Sequence, residues 1–182
     1  MERSRVPLIA DANVLIDYAD ADRSILSLLV RHTGPVYVAT AVVEKVEQLS
    51  VNECERLGLT VVVPTIEQLL EAGQGRPGIA FDDALCLILA RDHGWCCMTN
   101  DKALRKACTS EGVGIAWGLE VMVDLIALAV LGVEDGCTTA RRIRDNNAFI
   151  TEEVVTEFER KVRALVTQRH GGKRDGQEPT DR

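Results

Sequence analysis

Apolar residues in this chain alternate between short continuous runs and longer segments in which they recur every three or four positions, the signature of strands alternating with amphipathic helices. Strands are predicted at Pro7 to Ala10, Val36 to Ala39, Leu59 to Pro64, "WCCMT" (95–99) and "VGIAW" (113–117). Between them, a helix is predicted from about Asp22 to Arg31 and a second over "AVVEKVEQL" (41–49), with Thr40 as its N-cap. Further helices are expected over "TIEQLLEAG" (65–73), "FDDALCLILARDHG" (81–94) and "DKALRKACTSEG" (101–112), the last two stopped by Gly94 and Gly112. "GQGRPG" (73–78) reads as a mobile loop.

This alternation predicts an α/β domain of three layers, α/β/α, with a mostly parallel central sheet, over residues 7–132. The apolar stretch Leu119 to Val133 reads as a buried helix or part of a homodimer face. Beyond Gly132 only helices are predicted, one at Thr138 to Asn146 and one over "TEEVVTEFERKVRALV" (151–166), with Val154, Val155, Phe158, Val162 and Leu165 on one face. Residues 133–168 therefore form a C-terminal helical addition, and 169–182 a flexible tail.

Composition narrows the class. With 46% apolar residues the chain can build a real core, which aliphatic side chains must supply because only 4% is aromatic. The six cysteines form no C-x-x-C pair and three of them sit inside apolar runs, so a reduced, cytoplasmic protein without a zinc site is expected. Leu119 to Val133 carries Glu120 and Asp124 and is too short to span a membrane, and no signal peptide pattern opens the sequence. A net charge of −7 argues against holding nucleic acid by bulk electrostatics, an objection that weakens where acids gather around bound cations.

Four acids fall at the carboxyl ends of the predicted strands or on the first turns after them, where parallel sheets bind ligands. Asp11 ends the first strand, Glu44 lies one turn into the helix after the second, Asp83 begins the helix of "FDDALCLILA", and Asp101 follows the fourth strand in "MTND". Singly, Asp11 and Asp101 read as N-caps, and Glu44 and Asp83 as solvated helix residues. Together, four carboxylates at one sheet end repel one another unless a cation lies between them, and a hard divalent ion takes oxygen ligands of this kind.

"ADANVLID", "TAVVEKVEQL", "FDDALCLILARDHG" and "MTNDKALRK", in this order, resemble the PIN domain, above all the toxin-like, VapC-type PIN ribonucleases of toxin-antitoxin systems. The resemblance spans roughly residues 7–118, and the helices after Gly132 are similar to those of toxin-like members with a helical C-terminal addition. It implies a Mg²⁺ or Mn²⁺ site built from Asp11, Glu44, Asp83 and Asp101, supported by Asn13 and Thr99, that cleaves RNA phosphodiester bonds with an activated water. Asp82 remains a substitute for Asp83. The resemblance also implies an antitoxin partner.

Lys102, Arg105 and Lys106 share a helix face beside Asp101 and are candidates for gripping RNA phosphates; Arg141, Arg142 and Arg144 read as a solvated charged face. An aspartyl-nucleophile phosphatase would need a carboxylate where Asn13 stands. The main rival is a PIN-like RNA-binding or protein-interaction module with little or no catalysis.

Overall fold

In the computed structural model, which describes residues 6–171 and the side chains as far as residue 167, the apolar runs become five short strands: β1 (Leu8–Ala10), β2 (Val36–Ala39), β3 (Thr60–Val62), β4 (Cys96–Met98) and β5 (Ile115–Ala116). All pair in parallel, in the order β3-β2-β1-β4-β5. Ile9, Ala10, Val36, Val38, Ala39, Cys97 and Met98 are fully buried, as expected of strands covered on both faces. Leu8 is in register with both Val36 and Cys96, so β1 is the centre of the sheet.

The helices are α1 (Ala12–Ala21), α2 (Ser24–Thr33), α3 (Thr40–Lys45), α4 (Val51–Leu57), α5 (Ile66–Gly73), α6 (Phe81–His93), α7 (Lys102–Ser110), α8 (Glu120–Ala127), α9 (Val133–Asn146) and α10 (Glu152–Gly171). The chain runs outward from β1 through β2 to β3, then returns across β1 to β4 and β5. Right-handed crossovers taken in opposite directions put the two sets of helices on opposite faces. On one face α6 packs on β1, β2 and β4, flanked by α5 and α7; the other holds α1 to α4. The C-terminal helices join that second layer, α9 against α1 and α10 against α8 and α9, and their Cys137, Ala140, Ile143, Phe158 and Val162 belong to the main core. Three layers around a parallel sheet are thus present.

Several local readings change. A separate helix, α1, precedes the one expected from Asp22; Asp11 caps it, and Asp22 breaks the chain by accepting the Ser24 amide at 3.0 Å. The helix after β2 stops at Lys45, with Val46 extended, and its N-cap is Ala39, so Thr40 is already helical. Ser50 and Glu53 then form a capping box that starts α4, which Gly58 closes in the left-handed region at φ 86°. The apolar stretch after Leu119 is helical only to Ala127, and Leu128 is half exposed. Val154 lies off the buried face of α10, whose contacts come from Val155, Phe158, Val162 and Leu165. The tail expected from residue 169 falls outside the described residues beyond Gly171. No helix among the described residues is long and apolar enough to cross a membrane.

Candidate active site

The order of the strands makes the place between β1 and β4 the switch point where the chain reverses its path across the sheet, the place at which parallel sheets bind ligands beyond the carboxyl ends of their strands. The Asp11 amide donates to the Met98 carbonyl at 3.1 Å, tying the two strand ends together. Asp11 itself is 0% exposed. Its Oδ1 accepts the Val14 amide at 2.7 Å, as an N-cap should, but its Oδ2 is buried with no hydrogen-bond partner among the described residues. Burial, the largest influence, pushes its pKa from 3.8 to about 6. The Thr99 hydroxyl and the Val14 amide favour the charged form, while repulsion from Asp17 and Asp101 opposes it.

Thr99, also fully buried, ends β4 with its amide on the Ala116 carbonyl at 3.0 Å, and its Oγ1 accepts the Asp101 amide at 2.9 Å. Asp101 caps α7 through Oδ1, which accepts the Leu104 amide at 2.7 Å. Capping and membership of the acid cluster therefore coexist in both Asp11 and Asp101. Asp83, in the first turn of α6, is only partly buried, yet its pKa is also raised to about 6. Burial is the first cause, followed by the charges of Asp82, Asp11 and Asp101, with Lys45 acting the other way. The fold thus gathers Asp11, Asp83 and Asp101 from the starts of α1, α6 and α7 into one electrostatic cluster.

Asp82 is engaged differently. The Lys45 ammonium donates to its Oδ1 at 3.0 Å and its Oδ2 at 2.9 Å, and the charges of Asp83 and Asp11 help hold that lysine protonated. Glu44 lies exposed on α3, one residue before this lysine, and Asn13 is exposed on the first turn of α1. The repulsion on Asp11 comes from Asp17 and Asp101, and that on Asp83 from Asp82, Asp11 and Asp101.

A polar chain that sequence reasoning missed lies beside this cluster. Asp17, buried on α1, accepts Asn147 Nδ2 at 2.9 Å and 3.1 Å, and Asn100 Nδ2 at 3.4 Å. Asn100 Oδ1 in turn accepts the Gly118 amide at 3.0 Å, in a fit so close that a Cβ on Gly118 would come within 2.5 Å of Asn100 Nδ2. Burial raises Asp17 to about pKa 6, against the pull of Asn147 and Asn100. The one sequence signal was an acid inside the apolar segment "NVLIDYA". Asn147→Ala should destabilise the protein by about 1–2 kcal/mol in urea titrations at neutral pH, because it leaves a buried carboxylate short of donors. The loss should shrink near pH 5, where Asp17 is protonated; a loss independent of pH would contradict this role.

The cations are not equivalent. Arg105 Nη1 donates to the Asn100 carbonyl, and its guanidinium lies 4.0 Å from the centroid of the Trp117 ring. Lys102 and Lys106 are exposed on either side of it along α7. In the second patch, Arg141 pairs with Glu159, Arg142 bonds the Ala21 carbonyl, and Arg144 pairs with Asp145 and Glu152, so these arginines tie elements together.

Among the described residues, no group of three His, Cys, Asp or Glu side chains is arranged to hold a metal ion. The donor chemistry nonetheless suits a hard divalent cation: carboxylates that repel one another, one with a buried oxygen lacking any partner. Asp11, Asp83 and Asp101 are the residues that would hold it. No family model and no curated protein matches the chain. Among solved structures, it is similar to a PilT N-terminus domain protein from the hyperthermophilic archaeon Sulfolobus solfataricus P2, with a TM-score of 0.46 and 10% identity over 65% of this chain and 92% of that one.

Proposed function

We propose that this protein is a divalent-metal-dependent endoribonuclease of the toxin-like PIN kind, with Asp11, Asp83 and Asp101 as its metal-holding acids, Glu44 at the rim and Mg²⁺ or Mn²⁺ as the ion. The observation that carries this reading is the fully buried Oδ2 of Asp11, without a hydrogen-bond partner among the described residues, on a carboxylate that Asp101 repels and that itself repels Asp83. A buried carboxylate oxygen without a partner is costly unless something positive is to meet it. Asp83 is preferred to Asp82 as the third acid because both oxygens of Asp82 are taken by Lys45.

When bound, the ion supplies Lewis-acid activation of a phosphodiester and a water of lowered pKa. The chain's own residues do the positioning. Thr99 holds the Asp101 backbone, the cap bonds fix one oxygen of Asp11 and one of Asp101, and Lys45 neutralises Asp82 so that the cluster does not carry a further uncompensated charge. Hydrolysis adds water across one P–O bond, leaving one phosphate end and one hydroxyl end. The exposure of Lys102 and Lys106 on α7 supports a role for them in meeting the flanking phosphates.

The second reading, a PIN-like RNA-binding or protein-interaction module with little catalysis, is favoured by the absence of a formed three-ligand group among the described residues. Incubation with a mixed pool of single-stranded RNA separates the two. Cleavage that requires Mn²⁺, stops with EDTA and is lost in Asp101→Asn, which keeps the cap, is the expected result. RNA binding without cleavage at any Mn²⁺ concentration would support the module instead.

A further inference from the structure

The chain has two Trp, two Tyr and three Phe in 182 residues. Tyr18 and Phe158 are buried, and Tyr37 stacks on Trp95 with ring centroids 3.8 Å apart. The other three, Phe81, Trp117 and Phe149, are 45%, 48% and 90% exposed. Each adjoins a residue of the acid cluster or of the polar chain beside it. Phe81 directly precedes Asp82 and Asp83 at the start of α6. Trp117 follows β5 and precedes Gly118, whose amide bonds Asn100. The Phe149 amide donates to Asn147 Oδ1 at 2.9 Å, and Asn147 holds Asp17.

An aromatic-poor protein that leaves its exposed rings at one end of its sheet, around an anionic centre, forgoes the burial those rings would otherwise contribute. The Trp117 ring is moreover held in place: the Arg105 guanidinium sits over it, anchored on the Asn100 carbonyl, which places a cation on a π surface. Between the rings run polar residues, Asn100, Asp17 and Asn147, and not a continuous apolar groove, so the rim suits separate flat ligands better than an apolar peptide face. With Lys102 and Lys106 exposed on α7, it joins aromatic platforms to positive charge, the combination that holds single-stranded nucleic acid.

We propose that Trp117, backed by Arg105, stacks an unpaired nucleobase next to the acid cluster, with Phe149 as a second platform. The inference rests on the nuclease reading and narrows its substrate to RNA whose bases are splayed from a duplex, since a paired base has both faces covered by its neighbours.

The test is direct binding in EDTA, where no metal-dependent cleavage occurs, with a short labelled single-stranded RNA followed by anisotropy. Trp117→Ala is expected to weaken binding about 5- to 100-fold and Phe149→Ala to weaken it in the same direction, while Trp117→Phe restores most of the affinity. An otherwise identical RNA made abasic, or the same RNA as a duplex, should bind the parent protein about as weakly as the parent RNA binds Trp117→Ala. Equal affinity of Trp117→Ala and the parent, with an unchanged melting temperature, overturns the proposal. So does equal binding of the abasic RNA, which would leave only backbone charge at work. If binding follows Trp117 but no cleavage is found under Mn²⁺, the nuclease reading fails and base stacking stands. Cleavage with no effect of Trp117→Ala on binding leaves the nuclease standing and overturns the stacking role.

Discussion

Asp11→Asn is expected to make the metal-free protein more stable at neutral pH while removing the RNA cleavage proposed for it. Asparagine caps a helix as well as aspartate, so its carbonyl keeps the Val14 amide bond. What disappears is a fully buried charge with one oxygen unpartnered. Raising the Asp11 pKa from 3.8 to about 6 corresponds to a penalty of about 3 kcal/mol on its ionised form in the folded state. The amide introduces an unmet donor of its own, which offsets part of the gain and leaves a net stabilisation of about 1–2 kcal/mol. For a chain of this size that is a rise in melting temperature of about 2–8 °C at about pH 8. The penalty shrinks as pH falls below about 6 and is gone near 3.8, so the gain from the substitution should shrink with it. Cleavage should fall roughly a thousandfold, since a ligand charge is worth several kcal/mol in a metal site. Undiminished cleavage would remove Asp11 from the centre; a lower melting temperature at pH 8 would show that its charge is already compensated.

The second large effect concerns protons and metal together. Asp11, Asp17 and Asp83 each have pKa values raised from 3.8 to about 6 by burial. A carboxyl whose pKa is higher in the folded state binds more protons there than in the unfolded chain, so the stability it contributes is present at low pH and is lost as pH rises through about 6. Without metal, the melting temperature should therefore fall between about pH 4 and 6, opposite to a protein whose acids sit in ion pairs. Millimolar Mn²⁺ should reverse the trend. An ion that binds only the native state stabilises by about 2.7 kcal/mol at one hundred times its dissociation constant, and at pH 5 protons compete for the same oxygens. Calorimetry across this range, with and without Mn²⁺, reads both slopes. A metal-free melting temperature that rises from about pH 4 to 6 and ignores Mn²⁺ would argue that the acids are neutralised from within the protein.

The parts of this structure that the chain advertises are those set by local pattern. Each predicted strand forms, because "VYVA" and "WCCMT" are apolar on both faces and can lie only inside a covered sheet. The helix α6 forms where "FDDALCLILARDHG" requires it, down to the left-handed Gly94. Errors gather where two short elements share a stretch that periodicity reads as one or none. Ser50 and Glu53 carry a capping box that marks α4, but a helix of seven residues gives too short a stripe to register without it. The candidate site was legible to the same degree. Asp11, Asp83 and Asp101 are acids placed against apolar runs, and the fold brings them together. Glu44 lies in α3, in the helix after β2 where the sequence puts it, but exposed. Lys45 meets Asp82 across 37 residues and Asn100 meets Asp17 across 83, pairings that follow from the order of the strands and leave no trace in either segment alone.

The bond between Asn147 and Asp17 closes over 130 residues of chain. In a growing polypeptide, Asp17 leaves the ribosome long before the amide that holds it, and at ordinary elongation rates the interval is roughly 7 to 25 seconds. The polar chain beside the acid cluster is therefore completed only after the sheet and both early layers have had time to form. A chain stalled between β5 and Asn147 would hold all five strands and still lack the amide that holds Asp17.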